Sequence, residues 1–161
     1  MWVRTAAKKD LVIIQGLLAE TWHATYDNIY GRDRVSEITR GWHSLDALEK
    51  QLNAPKSEFL VADDGKTIAG MAYGRQISDN EVKLAQLYVS PDFQGRGVGA
   101  LLLDEIEESF FEVPIVRLEV EEKNTGAVAF YSKRGFVQTG TTDNCGKSDS
   151  AIAAIVMQKS R

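Results

Sequence analysis

Only one cysteine, Cys145, occurs in the 161 residues, so no internal disulfide framework can form. That suits a reducing compartment. Only three prolines are present, Pro55, Pro91 and Pro114, and each falls where one element is expected to give way to another. No apolar run approaches the roughly 20 residues that a membrane-spanning helix needs. The opening Met1-Trp2-Val3-Arg4 lacks the apolar core and small-residue cleavage site of a secretory leader. A soluble, cytoplasmic protein without membrane partners is therefore expected. Net charge is −4, so no whole-molecule basic field favours nucleic acid, although a local patch could still hold an anion. The two histidines, His23 and His43, are isolated from one another and from the cysteine, and no metal site is expected.

What is present suffices for one domain spanning residues 1–161. Apolar residues make up 43 %, enough to bury a core without staples. Trp2–Thr5 reads as a first strand. Leu11, Ile14, Leu17, Leu18, Trp22 and Tyr26 recur at helical spacing, which predicts a helix from about Lys8 to Tyr26. Leu45, Leu48 and Leu52 predict a second, ending before Pro55. Phe59–Ala62 and Thr67–Tyr73 flank Asp64-Gly65, a hairpin signature.

Val82–Val89 carries apolar residues on both faces and should lie inside a sheet. A helix follows the glycines at 95, 97 and 99, with Val98, Leu102, Ile106 and Phe110 spaced by four. Ile115–Val120 reads as a strand, and Asn124–Arg134 as a helix stopped by Gly135. Strands around Phe136–Thr141 and Ala151–Gln158 complete the order β-α-α-β-β-β-α-β-α-β-β. An α/β fold is expected, with a mixed, mostly antiparallel sheet of about seven strands and helices on both faces.

The most informative segment is Gln94-Gly95-Arg96-Gly97-Val98-Gly99, between a buried strand and a helix start. The first N–H groups of a helix lack intrahelical partners, and its dipole favours an anion there. Glycines remove the Cβ atoms that would hold a phosphate away, and Arg96 adds a charged donor. A pyrophosphate fits. The run lacks the Gly-Lys-Ser/Thr ending of a nucleotide-triphosphate loop, and it is not Gly-x-Gly-x-x-Gly. On glycines alone, a ligand-free tight turn remains open.

The wider string Leu87-Tyr88-Val89-Ser90-Pro91-Asp92-Phe93-Gln94-Gly95-Arg96-Gly97-Val98-Gly99-Ala100-Leu101-Leu102 closely resembles motif A of the GNAT N-acetyltransferases. In that family the motif reads Arg/Gln-x-x-Gly-x-Gly/Ala, with Gln94, Gly97 and Gly99 in those places. Further on, Leu118–Asn124 and Ala129–Phe136 resemble the family's motif B. The resemblance is strong from about Glu81 to Gly140, and over the N-terminal part it extends only to element order. It implies acetyl-CoA as donor, direct transfer to an amine acceptor without an acyl-enzyme, and compatibility with a homodimer. Residue by residue, it implies that Leu87, Tyr88 and Val89 offer backbone groups to the pantetheine arm. The segment Gln94, Gly95, Arg96, Gly97, Val98 and Gly99 would hold the pyrophosphate. Asn124 would touch the pantetheine, and Tyr131 would face the sulfur.

Acetyl transfer to an amine requires a neutral nucleophile, a polarised carbonyl and a proton for the departing thiolate. Tyr131, whose phenol has an ordinary pKa of about 10, can share a proton with a thiol. Its helix stripe equally suits a core tyrosine. Glu119 points away from Val116, Leu118 and Val120 by strand alternation and is a base candidate, or else a solvated carboxylate. In the resemblance, a branch that acetylates protein N-termini places a glutamate twelve residues before the tyrosine, a spacing that Glu119 and Tyr131 keep. Other members carry a glutamate in the preceding strand. Lys83 occupies that place here, with Glu81 two residues earlier.

Lys123, Lys133 and Arg134 could attract CoA phosphates or simply be solvated. Cys145 sits in an expected loop with no local support for covalent chemistry. Trp22 and Tyr26 suit the core, although the resemblance places acceptor-binding residues in this segment. A catalytically silent CoA-binding sensor or interaction module would share the glycine turn. Glu119 and Tyr131 favour an enzyme.

Overall fold

In a computed structural model, residues 1–145 and 152–161 are described. The chain forms β1 (Trp2–Thr5), α1 (Leu11–Tyr30), α2 (Arg32–Trp42), α3 (Leu45–Asn53), β2 (Ser57–Asp63), β3 (Ile68–Gln76) and β4 (Glu81–Val89). There follow α4 (Val98–Ser109), β5 (Ile115–Glu121), α5 (Thr125–Lys133), β6 (Val137–Thr142) and β7 (Ala154–Ser160). The seven strands lie in the order β1-β2-β3-β4-β5-β7-β6. β4 pairs parallel with β5, whereas β1–β2, β5–β7 and β6–β7 are antiparallel. The mixed, mostly antiparallel sheet matches the expectation. The expected start of the last strand at Ala151 falls outside the described residues.

Two compact units divide the chain. One comprises Met1–Gly74 and Gln86–Ser109, the other Arg75–Ala85 and Phe110–Arg161.

In the first unit, α1 buries Leu11, Ile14, Leu17, Leu18, Trp22 and Tyr26, the apolar stripe of the sequence. Val12 and Ile13 face outward. α1 runs four residues past Tyr26 and stops at Gly31, whose φ of 85° breaks the helix. A helix absent from the expected order, α2, starts immediately afterwards and buries Val35 and Ile38. Ser44 caps α3 by accepting the Ala47 N–H at 3.1 Å. Arg4 ties β1 down by donating to Asp10 at 2.8 and 3.0 Å and to Asp63 at 3.0 Å. The β2–β3 turn is the expected Asp-Gly turn. The Asp64 side chain accepts the Lys66 and Thr67 N–H groups, and Gly65 has φ 96°.

In the second unit, Val116, Leu118, Val120, Phe136 and Met157 are buried. Gly135 follows α5 with φ 92°, and the Phe136 N–H donates back to the Tyr131 carbonyl at 3.1 Å. Arg161 donates to the Phe110 and Val113 carbonyls at 2.6 Å each.

Candidate active site

The glycine turn lies in the first unit. β4 ends at Val89, a single 3-10 turn runs from Pro91 to Phe93, and α4 begins at Val98. Gly95 and Gly97 take φ of 78° and 82°, left-handed conformations on either side of Arg96. Successive N–H groups in such a turn form a concavity suited to anions, and here it opens onto a helix N-terminus. A Cβ built on Gly95 or Gly97 meets nothing within 4 Å, so the space over both is open.

Gln94 folds back, its Nε2 donating to the Val89 carbonyl at 3.1 Å, which fastens the turn to the end of β4. Arg96 is exposed, with its guanidinium 5.3 Å from the Phe93 ring centroid. Val98 is buried and anchors α4.

β4 itself is held from two sides. Gln51 and Gln86 exchange side-chain hydrogen bonds of 2.9 and 3.3 Å, joining α3 to the strand just before Leu87. On β3, a Cβ on Gly70 would come 2.8 Å from the Tyr88 carbonyl oxygen, 3.1 Å from Leu102 Cδ1 and 3.4 Å from Val89 Cα. Gly70 thus admits the backbone of Tyr88 and Val89. Sequence reasoning passed over it, although an isolated glycine inside a strand signals a close backbone approach. Leu87, Tyr88 and Val89 are half-buried, unlike Val82 and Leu84 earlier in the strand.

An aromatic row in this unit runs along α1 to the α2–α3 junction. Ring centroids of Trp22 lie 4.6 Å from Tyr26, 5.6 Å from Trp42 and 6.0 Å from His43, and Tyr26 lies 5.9 Å from Tyr30. Trp22 and Tyr26 are buried, as their spacing predicted. Trp22 Nε1 and His43 Nδ1 are buried without a hydrogen-bond partner among the described residues. Burial pushes the His43 imidazole down from 6.5 to about 4.

The second unit carries the titratable candidates. β4 and β5 run parallel with Lys83 opposite Arg117, and Glu119 stands two residues beyond on the same face. Lys83 Nζ lies 3.5 Å from Glu119 Oε1, and the two side chains are 29 % and 12 % exposed. Glu81, the alternative base, accepts from Gln158 Nε2 at 3.4 Å. Cys145 lies within the field of this pair. Its thiol is pushed up to about 11, first by burial, then by Glu119, with Lys83 opposing. Such a thiol stays protonated at neutral pH and is a poor nucleophile.

Glu121 is buried and accepts the Lys123 N–H at 2.8 Å, shaping the turn into α5. Asn124 caps α5, its Oδ1 accepting the Ala127 N–H at 3.3 Å. Tyr131 is 8 % exposed and packs edge-on to Phe130 and Phe136, with centroids 5.2 and 5.5 Å away. Arg134 stacks over Phe130 at 3.9 Å. Among the described residues no group of three or more His, Cys, Asp or Glu is arranged to hold a metal. No helix among them is long and apolar enough to cross a membrane.

The family model described as an acetyltransferase (GNAT) domain matches residues 26–160. The chain is 28 % identical over 140 residues to the spermidine N(1)-acetyltransferase of Thermoplasma acidophilum, covering 83 % of this chain and 86 % of that one. It is 32 % identical over 97 residues to the N-alpha-acetyltransferase RimI of Mycobacterium tuberculosis, covering 58 % and 61 %. Among solved structures, PaiA N-acetyltransferase from Thermoplasma acidophilum in complex with coenzyme A superposes with a TM-score of 0.86. That pair is 24 % identical, covers 99 % of this chain and 98 % of the other, and is a likeness of fold.

Proposed function

Because the chain belongs to the acetyltransferase (GNAT) domain family, we propose that it transfers acetyl from acetyl-CoA directly to a primary amine, on a small molecule or a peptide N-terminus. The turn Gln94–Gly99 carries this reading. Its two left-handed glycines, open space and helix N-terminus suit a pyrophosphate. Relatives include a spermidine N(1)-acetyltransferase and an N-alpha-acetyltransferase, both of which act on amines. Acetyl-CoA as donor and a single cysteine suit a cytoplasmic enzyme.

In this reading, N–H groups of Gly95–Gly99 and the Arg96 guanidinium hold the pyrophosphate. Backbone groups of Leu87, Tyr88 and Val89 orient the pantetheine arm, and the Val89 N–H polarises the acetyl carbonyl. Glu119 takes a proton from the acceptor nitrogen, leaving the neutral amine that attacks. Tyr131 Oη gives a proton to the departing sulfur.

Two measurements test the proposal. Acetyl-CoA should raise the melting temperature by mass action, and ATP at equal concentration should do so much less. Thiol should be released from acetyl-CoA in the presence of polyamines, amino acids, aminoglycosides or peptides with free N-termini. Equal stabilisation by ATP, or no thiol release with any amine, would overturn it.

A further inference from the structure

The position of Lys83 carries a statement about the acceptor. Odd-numbered residues of β4 and β5 share one face, by strand alternation and the parallel register Lys83↔Arg117. That face presents Glu81 and Lys83 from β4, and Arg117, Glu119 and Glu121 from β5. Glu81 is engaged by Gln158, and Glu121 by the Lys123 N–H. Lys83 Nζ lies 3.5 Å from the carboxylate of Glu119, and Glu119 is only 12 % exposed. At that separation and burial, water screens the two charges from each other only in part. A group approaching Glu119 therefore meets a carboxylate whose charge is largely cancelled by its neighbour.

We propose that Lys83 is a specificity-determining residue, which by neutralising Glu119 makes the acceptor site favour amines bearing a single positive charge over polyamines. The inference rests on the reading of Glu119 as the proton acceptor. An amine with one charge delivers its proton to Glu119 and then carries none. A polyamine brings one or two further ammonium groups on the same short chain, and these remain charged beside the Lys83 ammonium. Each such charge is repelled by Lys83 and gains little from the already paired carboxylate. Removing the Lys83 charge takes away a positive charge 3.5 Å from the Glu119 carboxylate and leaves this face more attractive to polycations.

The test compares kcat/KM for thiol release with spermidine and with a short peptide whose only charge is its N-terminus. The wild-type protein should favour the peptide. Lys83→Met should raise kcat/KM for spermidine about tenfold relative to the peptide, the order expected for one partly screened charge. Lys83→Arg should keep the wild-type preference, because it keeps the charge. The gain in Lys83→Met should shrink as salt rises from about 0.05 M to about 0.5 M. Calorimetric acetyl-CoA binding shows that each variant is folded, and Lys83→Gln substitutes for Lys83→Met if the latter is unstable.

A change of equal size for both acceptors, a preference insensitive to salt, or a wild-type preference for spermidine would overturn the inference while leaving acetyl transfer intact. No thiol release from any variant or the wild type with either acceptor, or with the wider amine panel, would remove the enzymatic reading and this inference together.

Discussion

Gly70 stands where a single methyl group would come within 2.8 Å of the Tyr88 carbonyl oxygen. The obstacle is backbone, so it cannot be relieved by turning a side chain. Leu102 Cδ1 at 3.1 Å closes the other side. Gly70→Ala should destabilise the protein by about 1–3 kcal/mol, the usual cost of overpacking. Because the segment displaced is Tyr88–Val89, acetyl-CoA affinity should fall as well. Urea denaturation and calorimetry measure the two effects, and unchanged stability would mean that the strand yields at no cost.

The glycine turn calls for two kinds of variant. Gly97 has φ 82°, so Gly97→Val strains the backbone whether or not a phosphate binds there, and its failure would be uninformative. Asparagine tolerates this conformation, and nothing lies within 4 Å of the added Cβ. Gly97→Asn should therefore fold normally and yet bind acetyl-CoA at least tenfold more weakly. Arg96→Ala should weaken binding without altering the melting temperature of the free protein. Unchanged affinity in both would reduce the turn to a structural element.

Tyr131→Phe keeps the edge-on packing against Phe130 and Phe136 and removes only the hydroxyl. Turnover should fall by roughly 100- to 10,000-fold, the range for a positioned proton donor. Acetyl-CoA affinity should change little, because the loss falls on the transition state. Near-normal turnover in the folded variant would return Tyr131 to the core.

Stability should decline with acid in two stages. His43 is pushed by burial from 6.5 to about 4, so between those values the unfolded chain binds a proton that the folded chain refuses. Stability is therefore lost as pH falls through that window, by about 3 kcal/mol, and the loss levels off below it. Asp10 acts later. Its hydrogen bonds from Arg4 hold it below the ordinary 3.8, so the stability it contributes is present above 3.8 and lost as pH falls further. Urea midpoints between pH 7.5 and pH 3 measure the curve. His43→Phe should flatten its first stage, and an unaltered slope in that variant would assign the stage to other groups.

The parts of the fold that were legible in the sequence are those written locally. The Asp64-Gly65 turn, the stripe from Leu11 to Tyr26, Gly135 after α5 and the run Gln94–Gly99 each act within a few residues of chain. α2 was missed because Arg32, Asp33, Arg34, Glu37 and Arg40 dilute its apolar positions, and Gly31 alone divides it from α1. The contact between Lys83 and Glu119 was not legible at all. It depends on a parallel register between strands separated by a helix, and sequence showed Lys83 only as a departure from the family pattern. The left-handed conformation of Gly97 belongs in the same class, since a glycine permits that conformation without requiring it.

Gln51 and Gln86 hold β4 by two hydrogen bonds between uncharged amides. Neither group titrates, and neither interaction is screened by salt in the manner of an ion pair. The attachment of β4 to α3 should therefore keep its strength under saline conditions that weaken the attraction between Lys83, earlier in the same strand, and Glu119 on its neighbour. One strand thus joins a setting that responds to the medium with one that does not. In the proposed reading, the strand segment offered to the donor keeps its attachment while salt weakens the Lys83–Glu119 pair.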